Sequence, residues 1–424
     1  MATDRFVEAL EASGARAWSI YTTSFRRLSL GTKDRESGNP HAPFSVSEGL
    51  AAAYKVVWAD GRVSRGSLER RQIELEVDDA LRQARSAAID DPDGAFVPEP
   101  SEIPDVAIHA PETAAIAAGE VEPIAERLAF IRKVVVERGL RTWSGSISAS
   151  EGLGRIVTST GMDASGKGTT FGWSAVLDGE LGAGRALRVP ESRELFKSRV
   201  FRIVDTVLKL REPAASLAGG LQRVLLHPDV VEEYVLGTLF SNLDGATVAH
   251  AEGAFRKEQF GSGDPVLRED LGLTIDPWKP LGPGSYRFST EGVPSKPTTL
   301  IDRGRLVTPI LDLKYGRRLG MAPTAHALSM EAVAFTAASE VPYEEAEREA
   351  VALILSVLGV HTQDTASGDF SLSAPQAWSR KGGRVKATIS GNLFALLRDP
   401  GTTLVRFEDE TTPGLLVTCR IDPR

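Results

Sequence analysis

The chain has 424 residues, long enough for two domains that each bury a core, with 42% hydrophobic and 25% charged residues, as in ordinary globular proteins. Its formal net charge of −8 argues against a nucleic-acid partner, because that affinity comes from clustered Lys and Arg. A single cysteine, Cys419, excludes an internal disulfide and a thiolate metal cluster, and fits a reducing, cytoplasmic setting. The charged N-terminal stretch lacks a signal-peptide core, and no apolar run reaches membrane-spanning length, so neither export nor a membrane partner is expected.

In chain order, the pattern predicts a helix from Asp4 to about Ser13, then strands near Trp18–Thr23 and Ala53–Trp58. Asp60-Gly61 supplies a tight hairpin turn. Ile73, Val77, Leu81 and Ala84 recur at helical spacing, which predicts one covering helix over 68–88. The stretch 90–111 holds five prolines and reads as a surface crossing. A helix is expected over about 123–138, then strands over 142–148, 154–159 and 169–177, and a long helix over 192–210. A boundary near residue 215 separates an N-terminal domain (1–215), an antiparallel sheet with covering helices, from a C-terminal domain (216–424). The second half carries helices near 229–242 and 343–357, a Gly/Pro-rich stretch over 261–297, and short strands to the end. The expected class is α+β, with a β-rich, barrel-like or sandwich-like C-terminal domain with added helices.

No motif stands out chemically. Gly161 to Thr169 nearly spells a phosphate-binding loop, but Gly168 occupies the position of the hydroxyl residue and a strand follows, so a hairpin between IVTST and TTFGWSAVL explains it better. The six histidines are scattered, with no HExxH, HExxxH or HxH, and His250-Ala-Glu252 lacks the PCxxC partner of a zinc deaminase. Asp229 reads as a helix cap, and Cys419, in LLVTCRI, as a buried structural thiol.

Beyond residue 260 a series of blocks occurs in order: Leu273-Thr-Ile-Asp276-Pro277, Gly284-Ser285, Thr290-Glu291-Gly292-Val293-Pro294, Leu300-Ile301-Asp302-Arg303-Gly304-Arg305-Leu306 and Arg318-Leu319-Gly320. Further on come Ser367-Gly368-Asp369-Phe370-Ser371 and Ile389-Ser-Gly391-Asn392-Leu393. These resemble the TldD/PmbA family, although Thr290 stands where the motif has an acid. The resemblance is strong in the second half and diffuse in the first. It implies a metallopeptidase scaffold whose catalytic branch carries HExxxH on a helix of the second domain, with a later cysteine ligand. Aligned on Gly237, the histidine positions here hold Glu233 and Thr238, and the glutamate position holds Tyr234. That departure resembles the PmbA, or TldE-like, branch. It implies a subunit with no catalytic residues and no metal of its own, paired with a TldD-like partner that holds zinc and acts on unfolded or leader peptides. A homodimer of the chain alone stays open. The Gly/Pro-rich stretch 282–297 is the candidate wall of a substrate or partner groove, with Ser285, Glu291, Gly292, Asp369 and Phe370 as its candidate residues. The alternative is a metal-free enzyme or peptide-binding scaffold that reuses the fold, as in natural-product tailoring.

Overall fold

The computed structural model describes residues 4–35, 44–179, 181–213, 217–324, 330–380 and 383–424. The boundary expected near residue 215, along with His41 and His326, lies outside them. No helix among the described residues is long and apolar enough to cross a membrane.

The N-terminal half is built on six antiparallel strands: β1 (Ala17–Arg35), β2 (Ser45–Val57), β3 (Val63–Glu69), β4 (Thr142–Thr158), β5 (Asp163–Leu177) and β6 (Leu181–Leu187). Their order is β3-β2-β1-β4-β5-β6. Alternation decides which face is covered, since successive side chains point to opposite sides. Trp18, Ile20 and Leu28 of β1, with Trp143, Ile147 and Ala149 of β4, are buried on one face. Helices α1 (Asp4–Ala12), α2 (Arg70–Glu74) and α3 (Val77–Ser86) close one end of that face. Helices α4 (Pro111–Ala118), α5 (Glu122–Glu137) and α6 (Arg193–Leu210) close the other. Ser192 caps α6 by accepting from the Leu195 amide at 3.2 Å.

Several expected boundaries move. The helix expected over 68–88 is two helices, broken at Leu75 and Glu76, and its first two residues end β3. The strands expected over 142–148 and 154–159 are one, because the small residues between them pair without interruption with β1 and β5. The crossing over 90–111 is not wholly superficial, since Val97, Val106 and Ala110 are buried. The phosphate-loop look-alike is a hairpin whose turn ends before Asp163, so Gly166-Lys167-Gly168 lies within β5.

The C-terminal half holds a closed barrel. Strand β7 (Gly220–Leu226) pairs with both β17 (Gly414–Pro423) and β13 (Ala352–Leu358), and β14 (Asp369–Ser379) and β15 (Gly383–Asn392) complete the ring. Strands β16 (Thr403–Arg406) and β12 (Glu340–Pro342) extend it beside β17. A second, small sheet has the order β10 (Arg305–Leu306), β9 (Thr298–Asp302), β8 (Gly272–Ile275), β11 (Val333–Thr336). The helix expected over 343–357 stops at Glu349. Its second half is β13, where Ala352, Ile354 and Val357 enter the barrel core. Closure removes the exposed edges that an open sheet of this length would present.

Candidate functional site

The face of the N-terminal sheet opposite the helices is lined by small residues: Ser144, Ser146, Ser148, Ser150, Gly152 and Gly154 on β4, and Gly166, Gly168, Thr170 and Gly172 on β5. Segment 286–291 crosses above it and encloses a cleft of about 710 Å³. Tyr21 and Phe25 of β1, Arg188, Arg287 and Phe288 stand around that floor. Tyr21 and Phe288 meet edge to face, with centroids 6.4 Å apart.

Glu291 latches the roof to the sheet. Its Oε1 pairs with the buried Lys55 Nζ of β2 at 3.1 Å, and its Oε2 accepts from the Leu313 amide at 2.9 Å. Gly292, at φ +83°, seats the turn. An added Cβ would stand 3.0 Å from both Ile156 Cδ1 and Met162 Sδ. The Ser289 hydroxyl closes the loop by accepting from the Glu291 and Val293 amides at 3.2 Å each. Asp91 extends the latch, with Arg65 and Lys314 each 3.1 Å from its carboxylate.

The five candidate groove residues therefore fall in two places. Glu291 lines the cleft, Gly292 packs beneath the turn, and Ser285 is buried with its hydroxyl donating to the Lys279 carbonyl at 2.6 Å. Asp369 and Phe370 lie on the barrel instead. Asp369 accepts from the Asn392 amide group at 2.8 Å, and the Phe370 ring sits 5.2 Å from that of Tyr234. Sequence reasoning missed Tyr21, Arg188, Arg287 and Phe288. The legible signal was the alternation of serines and glycines along 144–154, which marks a face without core-building side chains.

The helical run 228–243 crosses the barrel core and contains a π-helical turn over Val231–Leu236. His227, rather than Asp229, caps its start, its Nδ1 accepting from the Asp229 amide at 3.3 Å. Val231, Val235, Leu239 and Leu243 are fully buried. Burial, with the nearby Asp369 carboxylate, pushes the Tyr234 phenol above its usual range. Cys419 is buried on β17, its thiol pushed up to about 12 by desolvation. His250 hydrogen-bonds Arg318 at 2.8 Å.

Residues 219–418 match the family described as PmbA/TldA metallopeptidase C-terminal domain. The C-terminal part of the chain, 219–418, belongs to the TldD/PmbA family. An uncharacterized protein of Methanocaldococcus jannaschii is 20% identical over 295 residues, covering 66% of this chain and 68% of that protein. The fold is similar to the crystal structure of TldE from Thermococcus kodakarensis (TM-score 0.78, 16% identity, 99% of this chain and 100% of that one). It is likewise similar to a "putative modulator of DNA gyrase" from Bacteroides thetaiotaomicron (TM-score 0.77, 14% identity, 100% and 98%). A Thermotoga maritima structure of like description has a TM-score of 0.76 at 17% identity, covering 99% of both chains.

The helix positions at which the resemblance puts a metal do not fit a metal ion here. Glu233 points to solvent, whereas Tyr234 and Thr238 are each 3% exposed within the core. A carboxylate facing outward, a phenol held above its usual pKa and a buried hydroxyl do not converge as ligands. Among the described residues no group of three His, Cys, Asp or Glu is placed to hold a metal.

Proposed function

We propose that this chain is the metal-lacking subunit of a two-subunit peptidase of TldD/TldE type, with zinc held by a TldD-like partner and an unfolded or leader peptide as substrate. The observation that carries the reading is the packing of Tyr234 and Thr238 into the barrel core at the positions where the resemblance puts a glutamate and a histidine. The full-length likeness to a structure named TldE supports it. So does the cleft, whose floor of Gly and Ser leaves room for an extended peptide backbone. The acids that a metal-free enzyme would draw on are engaged. Glu291 has both oxygens bound, and Asp369 is tied to Asn392.

The test is metal content and peptide hydrolysis for the chain alone and with a TldD-like partner carrying HExxxH. Expected are no stoichiometric zinc and no hydrolysis alone, and chelator-sensitive cleavage by the pair. Zinc-dependent cleavage by this chain alone overturns the reading.

A further inference from the structure

Two arginines at the cleft lie on bare strand backbone. A Cβ at Gly168 would stand 3.2 Å from Arg188 Nη1, and one at Gly166 would stand 3.5 Å from Arg287 Cδ. The absence of side chains at these two positions lets both guanidinium groups settle across β5. Arg188 donates from Nη1 to the Thr169 carbonyl at 2.9 Å and from Nη2 to the Ser285 carbonyl at 2.6 Å. Its Nε is buried without an acceptor, and no carboxylate pairs with it among the described residues. Arg287 donates to the Pro104 carbonyl at 3.0 Å and the Ser165 carbonyl at 3.5 Å. Its ion-pair partner among the described residues, Asp105, is fully exposed and 3.8 Å away.

Other arginines are paired with carboxylates. Arg155 grips Asp163 with Nε at 2.8 Å and Nη2 at 2.6 Å, and Arg85 grips Asp60 with both Nη atoms. Arg188 is thus held by carbonyls with no carboxylate partner among the described residues, and Arg287 by carbonyls and the solvent-exposed Asp105. A guanidinium in a partly dehydrated pocket attracts a planar carboxylate, which it binds through paired N–H donors. The carbonyls around them disfavour a dianion, so a single negative charge fits better than phosphate.

Across the floor, β4 contributes Gly152 and Gly154, and beyond it on β1 stands Tyr21 against Phe288. The Tyr21 hydroxyl makes no hydrogen bond among the described residues. The Tyr21 hydroxyl lies over Gly154, the strand partner of Gly166 beneath Arg287, and Phe288 follows Arg287 in the chain, so the aromatic pair stands one strand spacing, ~5 Å, from Arg287.

The geometry points to a subsite for the carboxyl-terminal end of a peptide, with the terminal carboxylate on Arg188 and Arg287 and the aromatic or large apolar side chain of the preceding residue against Tyr21 and Phe288. This rests on the peptide reading above and adds which part of the peptide is held.

The test uses the full chain and a fluorescein-labelled octapeptide ending in Ala-Phe-Ala, as the free acid and as the amide, with binding read by anisotropy. The acid is expected to bind at least about tenfold more tightly than the amide. Arg188→Gln should abolish that ratio, and Tyr21→Ala should weaken both forms alike. If Arg188→Gln fails to fold, Arg287→Gln reads the same ratio. Equal binding of acid and amide overturns the subsite and leaves the peptide reading standing. An amidated peptide carrying an internal Glu that binds as tightly as the acid also overturns it, as does stronger competition by inorganic phosphate than by N-acetylalanine. Failure of both peptides to bind overturns the subsite, while cleavage by the pair with a TldD-like partner judges the peptide reading separately.

Discussion

The cleft over the N-terminal sheet and the helical run through the C-terminal barrel are opposite solutions to the same composition problem. Along 144–154 small side chains leave a sheet face bare, and the space above it is open. Along 228–243 large apolar side chains, joined by the buried Thr238 and Asn242, fill the inward positions, so the helix is sealed into the core. The resemblance places chemistry on the helix, yet the open, charged and aromatic surface is on the sheet. The core is filled where the resemblance puts a metal, and the open cleft lies on a sheet face that takes no part in the core.

The contrast breaks most directly at Tyr234. Replacing it with Ala should cost about 3–5 kcal/mol in chemical denaturation, because it opens a cavity beside Phe370. By the same argument, Glu233→His, Tyr234→Glu and Thr238→His together should lower stability and still yield substoichiometric zinc by elemental analysis. Stoichiometric zinc in that variant would show that the sealed position can reopen. On the sheet side, Lys55→Met strands the Glu291 carboxylate next to a buried site and should cost about 2–3 kcal/mol, somewhat less than a fully buried pair. If peptide binding is lost along with it, the latch and the cleft are one unit.

Gly292→Ala should cost about 1–2 kcal/mol, from positive φ and the close approach of Ile156 and Met162. The smallest effect concerns Glu232, whose carboxyl is raised above its usual range by burial. A raised carboxyl holds its proton to higher pH in the folded state than in the unfolded one, so its stability contribution is lost as pH rises through that interval. Glu232→Gln keeps an acceptor for the Thr412 hydroxyl and removes the loss. Its melting temperature should equal the parent's in acid and exceed it slightly at neutral pH.

Much of this was legible along the chain. The helices at 4–12, 122–137 and 193–210 announce themselves by apolar spacing and by caps such as Ser192. Cys419 in an apolar strand is buried, as its neighbours imply. Other features were not legible. The run 343–357 has one continuous apolar-polar texture, and only the empty place between β7 and β14 makes its second half a strand. The π-helical turn has no local signature. Glu291 and Asp369 look alike as motif acids, but one faces Lys55 across the sheet and the other Asn392 on the barrel.

By itself, then, the sequence determined the local periodicities, the class of fold, the family resemblance and the absence of HExxxH, because each depends on residue type at short spacing. Only the tertiary structure decided that the barrel closes, that Tyr234 and Thr238 are sealed within it, and that Gly166 and Gly168 of a would-be phosphate loop carry two arginines from distant segments. Those outcomes depend on which surfaces meet, and residues about 20 to 120 positions apart meet only when the chain is packed.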